Sequence, residues 1–371
     1  MRIAIVCTVP DGGMVHFAQS CFAAASDLGH DVLLVLPENS AVNVEALTSH
    51  GEVVLYALNK GLSATRNTVS NIQSILELFR SDSVWLTDET VTSSAMRRQC
   101  GADDVVFIHD VKPHLAKMGL KTRLRFAYLL KQRGSSLSRT SHVIVMSNTA
   151  KFDLEERYGE DVKGKVSVLR LGATVPECET TRPLELTESF DGKKFFLFFG
   201  AIEKYKNVAG LVKAFTRLLN DASDAKLIIA GKGRVGKSTL QVIAAHQNSI
   251  LLINRYISDE ELVYLMNSAR ATLLPYREAT QSGVLPISYK FKKPVVTSSA
   301  PGLAEFVIDN KTGYVVDDED GLVKAMANLL DDTCASDMGQ NGFDYAECEL
   351  NFTTNVASVI ASLSNANCED R

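Results

Sequence analysis

The chain has few of the features that mark an exported or membrane-embedded protein. Its 371 residues hold seven cysteines, at 7, 21, 100, 178, 334, 348 and 368, with no C-x-x-C pair and no metal-ligand spacing. That odd, scattered set excludes a disulfide framework as its reading and fits reduced thiols in a cytoplasmic setting. No stretch approaches the roughly 18–20 consecutive apolar residues of a membrane span. The opening MRIAIVCTVPDGG reads as a short strand ended by a turn, not as a secretory leader. Positive charge is not in excess either. Lys and Arg number 39 against 44 Asp and Glu, for a net charge of −5, which gives a nucleic-acid partner no footing. No internal repeat or low-complexity tract is visible.

What is present is a soluble-type composition, 46% hydrophobic, on a chain long enough for two cores. Strand-like runs recur at 2–7, 31–36, 53–57, 83–86, 105–108, 142–146 and 166–169. A helix over Val15–Leu28, closed by Gly29, lies between the first two. A polar, proline-containing stretch, Thr174–Lys194, then reads as a linker. A second alternation follows. Its strands are expected at 195–199, 226–230, 250–253, 271–274, 294–297 and 313–316. Helices fall near 208–219, 239–246, 259–268, 321–330 and 353–363. Such alternation predicts an α/β fold of two doubly wound halves. The domain bounds are residues 1–173, linker 174–194, 195–345, and a C-terminal helix within 346–371 able to pack back on the first domain.

The most informative segment is Pro275–Val296, PYREATQSGVLPISYKFKKPVV. A strand precedes it, an acid (Glu278) and a polar cluster (Thr280, Gln281, Ser282, Gly283) follow, and the pattern then turns helical. Backbone N–H groups opening a helix suit an anion such as a diphosphate, and ligands bind at the C-terminal edge of strands in such folds. With its A-T-Q-S-G-V-x-P pattern this segment resembles the donor-binding loop of family-4 glycosyltransferases, retaining enzymes of GT-B architecture. The resemblance extends over nearly the whole chain. It implies two Rossmann-like domains facing a central cleft, and transfer of a sugar from a UDP- or GDP-linked donor. The acceptor would be a glycan or a lipid-linked one, as in surface polysaccharide assembly. It also implies that no metal or other cofactor is needed, since the nucleotide-sugar is a substrate.

Residue by residue, the resemblance carries over unevenly. Pro10-Asp11-Gly12-Gly13 matches the family's Gly-Gly loop, although two glycines alone are also an ordinary βα turn. His16 follows, open to a capping or packing role. His109, delivered to a strand tip beside Asp110, stands where the family has a histidine near the donor sugar. Phe198–Asn207 resembles a G-R-I-x-x-x-K-G turn whose Arg and Lys clamp the diphosphate. Lys206 matches the lysine, but Ala201 stands in place of the arginine, with Lys204 nearby. Two glutamates common in the family fall at Ala279 and Ile287, leaving Glu278 beside the first position and Ser288 beside the second. The catalytic candidates are thus His109 and Glu278. The donor-binding set is Gly12, Gly13, Lys206, Gly231, Gln281, Ser282, Gly283 and Val284. The missing Arg and Glu residues keep a non-catalytic GT-B homologue, acting as a binding or partner subunit, as an alternative.

Two further motifs compete for attention. Gly231–Ser238, GKGRVGKS, satisfies G-x-x-x-x-G-K-S after a strand, so a P-loop NTPase acting through Lys237 is a second alternative. No later strand ends in the Asp that would hold Mg²⁺, and the family places an A-G-x-G turn here. Val111–Thr140 holds eight Lys or Arg and no Asp or Glu, with leucines at helical spacing. It reads as a solvated helix face or as an anionic-surface contact through Lys121, Arg123 and Arg125. The second reading would bring a cytoplasmic protein to the inner face of the plasma membrane. Ser147 is read as a helix N-cap without chemistry.

Overall fold

Most strands of this chain are near-continuous runs of Val, Ile, Leu and Phe, the signature of parallel sheets covered on both faces. In β1 (Arg2–Val6), β2 (Asp31–Pro37) and β5 (Val105–Ile108) almost every residue is buried. The computed structural model describes residues 1–10, 12–40, 42–58, 64–97, 103–109, 111, 133–134, 137, 139–140, 142–173 and 178–369. The chain divides into two units, Met1–Arg170 with Phe352–Arg371, and Leu171–Asn351.

The first unit adds β3 (Glu52–Tyr56), β4 (Ser83–Leu86), β6 (His142–Val145) and β7 (Val166–Val168). Its seven strands are all parallel, in the order β3-β2-β1-β4-β5-β6-β7. The order reverses direction between β1 and β4, which opens a crevice at their carboxyl ends. The helix Phe352–Glu369 belongs to this unit. It packs on the helix Gly13–Asp27 with Val356, Val359 and Leu363 buried, and Phe352 meets the Phe17 ring edge-on at 5.9 Å.

The second unit holds β8 (Phe195–Phe199), β9 (Leu227–Ala230), β10 (Ile250–Ile253), β11 (Ala269–Leu274), β12 (Val295–Ser298) and β13 (Gly313–Val316). Its order is β10-β9-β8-β11-β12-β13, again all parallel, with the reversal between β8 and β11. This is the strand order of a dinucleotide-binding fold. The helix Val208–Leu218 covers one face through Val208, Leu211, Val212, Phe215 and Leu218, an i, i+3/i+4 stripe.

Two sequence readings need correction here. The described part of the expected linker, residues 178–194, is not loose. Leu186 and Phe190 are buried against Phe195, Leu197 and Ile253, and Glu185 forks onto Arg255 at 2.7 and 2.8 Å. The stretch reads as a linker because its polar residues outnumber the few that anchor it. The helix Asp332–Glu349 was also missed. It carries Gly339 and Gly342, which depress helix propensity. Both glycines are required by close approach. A Cβ on Gly339 would lie 2.0 Å from the Lys292 carbonyl oxygen, and one on Gly342 would lie 2.4 Å from the Tyr289 ring.

Candidate functional site

The strongest candidate lies in the second unit, at the carboxyl ends of β8 and β11. After β8 the chain turns through Gly200, at φ 105°, into a short 3-10 turn Lys204–Lys206. Asn207 ends that turn in the left-handed region, φ 56°, and starts the helix Val208–Leu218. Lys206 points back over Gly200: a Cβ placed on Gly200 would meet Lys206 Nζ at 3.4 Å and Val284 Cγ2 at 3.9 Å. The β8 turn, the lysine head and the start of the helix Val284–Lys290 therefore meet at one point.

Lys206 Nζ lies 5.2 Å from the Tyr276 ring centre and 6.0 Å from that of Tyr205, whose rings meet edge-on. No carboxylate of the described residues comes within ion-pair distance of it. Burial pushes its pKa below the ordinary lysine value, and Glu203 at longer range opposes this only in part. A half-buried cation held by aromatic faces, with no counter-ion in contact, suits an anionic ligand.

The β11 loop is fixed from several sides. The Arg277 N–H donates to the Tyr205 carbonyl at 2.8 Å, and Ser298 Oγ donates to the Tyr276 carbonyl. Gly302 lies so close under the loop that a Cβ there would come within 2.4 Å of the Ala279 and Thr280 backbone. Gln281 Oε1 is buried without a hydrogen-bond partner. The N–H groups of Ser282 and Gly283 have no acceptor among the described residues. Val284 differs from expectation: its N–H is taken by Ser282 Oγ at 3.3 Å. Ser288, considered as a substitute for a glutamate, is excluded by burial. Its hydroxyl is shared between Thr272 Oγ1 at 2.7 Å and the Val284 carbonyl at 2.8 Å. Glu278 is exposed on the loop, and Ala279 is half-buried.

The G-x-x-x-x-G-K-S run does not have the geometry of a phosphate cradle. Gly231, at φ 151°, donates its N–H to the Ile253 carbonyl at 2.9 Å. Gly233 N–H goes to Asn254 Oδ1 at 3.0 Å, and Asn254 Nδ2 returns to the Gly233 carbonyl at 3.0 Å. Ile202 and Gly233 form a parallel bridge, so the glycines zip the β9 loop to the β8 turn. A Cβ on Gly231 would sit 2.0 Å from the Gly200 carbonyl oxygen. Gly231 and Gly233 serve backbone approach, and their N–H groups are already engaged. Lys237 is exposed, at the start of the helix Lys237–Ala245 after β9, one strand away from the reversal.

In the first unit, Gly12 (φ 80°) is the N-cap of the helix Gly13–Asp27, and nothing lies within 4 Å of a Cβ on either glycine. His16 is exposed. His109 is buried; its Nε2 lies 2.9 Å from the Thr87 carbonyl oxygen, and its ring meets Phe17 edge-on at 4.9 Å. Ser147 caps its helix as expected, accepting from the Ala150 N–H at 3.0 Å. Asp110 and the Lys121, Arg123 and Arg125 group lie outside the described residues. Arg133, from the same basic run, does not stand on an exposed face. It is buried and forks onto Glu89 at 2.8 and 2.7 Å.

Sequence reasoning missed the polar cluster behind β4. Asp88, fully buried, accepts from both the N–H and the hydroxyl of Thr8, the latter at 2.7 Å. Glu89 receives Arg133 and, at 3.4 Å, the buried Arg97. Burial, with the Asp88 charge adding to it, raises the Cys7 thiol to about 12. The available signal was Thr87-Asp88-Glu89-Thr90, acids at a strand tip on the ligand edge of the sheet.

This geometry can be set beside known proteins. Residues 185–344 match the family "Glycosyl transferases group 1". The match lies within the second unit and covers most of it. Over 199 residues the chain is 26% identical to a glycogen synthase of Mycobacterium tuberculosis, a match covering 52% of this chain and 46% of that protein. The chain thus spans about half the length of the glycogen synthases that it matches. Among solved structures, sucrose-phosphate synthase of Thermosynechococcus elongatus superposes with a TM-score of 0.75 at 15% identity, covering 100% of both chains. Anabaena HepE in complex with UDP and glucose gives 0.74 at 17% identity, covering 98% of this chain and 100% of that one. These likenesses show the fold, two Rossmann-like domains of GT-B type. Among the described residues, no helix is long and apolar enough to cross a membrane.

Proposed function

We propose that the protein is a retaining glycosyltransferase of family 4, moving a sugar from a nucleoside-diphosphate donor to a glycan or lipid-linked acceptor. The observation that carries this reading is Lys206: a half-buried cation, without a carboxylate in contact, over the Gly200 turn at the reversal of the sheet. A departing diphosphate gathers negative charge, and a fixed cation in a partly dry site stabilises that charge more than water does. The Ser282 and Gly283 N–H groups supply neutral donors on the adjoining loop. HepE was solved with UDP and glucose, which makes UDP-glucose the first donor to try. Transfer would proceed through an oxocarbenium-like state, with the diphosphate assisting deprotonation of the acceptor and no metal required. A role in surface polysaccharide assembly, on the cytoplasmic face of the membrane, follows the same resemblance. Membrane contact through Lys121, Arg123 and Arg125 rests on sequence alone.

A specific observation favours a second reading, a GT-B homologue that binds without turnover. Ala201 and Ala279 present no polar side chain at the clamp and sugar positions, and the Ser288 hydroxyl is buried and engaged. Titration of UDP, GDP and ADP, followed by release of free diphosphate from the matching sugar nucleotides, separates the two. Lys206→Ala should weaken diphosphate binding about ten- to a hundredfold, as loss of a hydrogen bond to a charged group does. Undiminished affinity would remove Lys206 from the donor site. Binding without turnover across donors and acceptors would favour the second reading.

A further inference from the structure

We infer that Arg277 is the second cation of the phosphate site in the second unit, taking the part that Ala201 cannot. The inference rests on the donor-site reading above and deepens it.

Arg277 follows β11 by three residues and is tied to the Lys206 turn at two points. Its N–H donates to the Tyr205 carbonyl at 2.8 Å, and its Nη2 donates to Asn207 Oδ1 at 3.1 Å. Those two bonds bracket Lys206 in sequence. Asn207 is itself held in place: it is left-handed, and its amide lies over Gly210, where a Cβ would come within 2.6 Å. The guanidinium is therefore anchored by one donor, with the rest of its fork uncommitted.

Its charge is also uncommitted. In the same unit Arg182 meets Asp191, Arg217 meets Glu319 and Asp320, Arg255 meets Glu185 and Glu261, and Arg270 meets Asp332. Arg277 meets no carboxylate among the described residues, although Glu278 is its neighbour in a chain with more acids than bases. Arg234, the other arginine of this unit without one, belongs to the loop after β9. Two cations on interlocked loops at the sheet reversal, Lys206 and Arg277, thus both lack a counter-ion in contact among the described residues.

The two are not equivalent. Burial lowers the Lys206 pKa, so its charge is vulnerable to rising pH, whereas a guanidinium does not deprotonate in proteins. An arginine fork also grips two phosphate oxygens at once, which an ammonium does not. Arg277 would hold the diphosphate's orientation while Lys206 meets its charge from beneath.

The test titrates UDP, GDP and ADP, with the monophosphate and nucleoside of whichever binds best, into the wild type, Arg277→Gln, Arg277→Lys and Arg234→Gln. Thermal unfolding of each variant checks folding. Arg277→Gln should lower diphosphate affinity by about tenfold or more, the monophosphate by less and the nucleoside not at all. Arg277→Lys should recover only part of the loss, and Arg234→Gln should match the wild type. The inference fails if Arg277→Gln stays within about twofold of the wild type for the diphosphate. It fails too if the nucleoside loses as much as the diphosphate, or if Arg234→Gln falls equally. A wild type that binds none of the three diphosphates overturns the donor-site reading, and this inference with it.

Discussion

The two units share a strand order over their first six strands and a reversal between the first and fourth, yet they treat charge there in opposite ways. Behind β4 in the first unit, acids and bases are matched, and all but the half-buried Glu89 are buried. Asp88 is satisfied by Thr8, and Glu89 by Arg97 and Arg133. Behind β11 in the second unit, Lys206 and Arg277 are held by rings, amides and carbonyls, with no acid in contact among the described residues. The same topology thus yields one crevice whose polar groups hold its own loops together and another whose cations meet no acid among the described residues. The second is the crevice that calls for an anion from outside.

The contrast breaks most severely at Glu89. Its carboxylate is shared by Arg97 and Arg133, whose side chains are only 1% and 8% exposed. Removing one partner of a buried pair leaves charge that the fold cannot solvate, at a cost of about 3–5 kcal/mol. Glu89→Ala should therefore lower the unfolding midpoint of the intact chain sharply. If the midpoint barely moves, the first crevice is not a structural ion cluster.

The next effect is steric and belongs to the second unit. Gly231→Ala puts a methyl 2.0 Å from the Gly200 carbonyl oxygen, at a φ that side chains rarely adopt. Overpacking of this kind costs about 1–3 kcal/mol. Because the strain falls on the turn beneath Lys206, diphosphate affinity should drop along with stability. A stable variant with full affinity would show that the β9 loop does not set the turn.

How much of this was legible in the sequence follows the same divide. The sheets were readable because strands buried on both faces are unbroken apolar runs, as in DVLLVLP and KFFLFF. Lys206 was readable as a candidate because Gly200, Ile202 and Lys206 keep the spacing of the G-R-I-x-x-x-K-G turn, even with Ala201 in place of its arginine. The Glu89 cluster was not, since its partners stand 8 and 44 residues away and only the fold brings them in. Gly231–Ser238 misled for a related reason. A glycine needed for close backbone approach and a glycine needed to bare an N–H look identical in sequence. Asn254, 21 residues beyond Gly233, decides between them. Arg277 passed unnoticed because its distinction is a missing partner, which no local pattern displays.

A smaller, graded effect should appear with pH. Burial lowers the Lys206 pKa in the free protein, and a bound diphosphate would raise it again. Below the lowered value the lysine is charged with or without ligand, and affinity is flat. Between that value and the ordinary 10.5, the free protein has shed a proton that it must regain to bind. Affinity should therefore fall as pH rises through this window, by no more than about tenfold per unit for one linked proton. Stability should move the other way. The unfolded chain holds more protons in that window, so the fold gains as the strained charge is lost. Calorimetry in buffers of different ionisation enthalpy would report the proton uptake, and Lys206→Arg should abolish it.

The smallest effect is expected at Lys237, and its smallness is the point. The residue is exposed, opens a helix one strand away from the reversal, and follows Gly231 and Gly233, whose N–H groups are already bonded. A working P-loop lysine reaches the β- and γ-phosphates, so its removal abolishes nucleotide triphosphate binding. Here Lys237→Ala should leave diphosphate affinity and sugar transfer close to the wild type, within about 0.5 kcal/mol as for an ordinary surface substitution. Measured beside Lys206→Ala, it asks which of two lysines in one unit serves the phosphate. Loss of binding at Lys237 with none at Lys206 would exchange their roles, and the uncompensated crevice behind β11 would no longer mark the ligand's place.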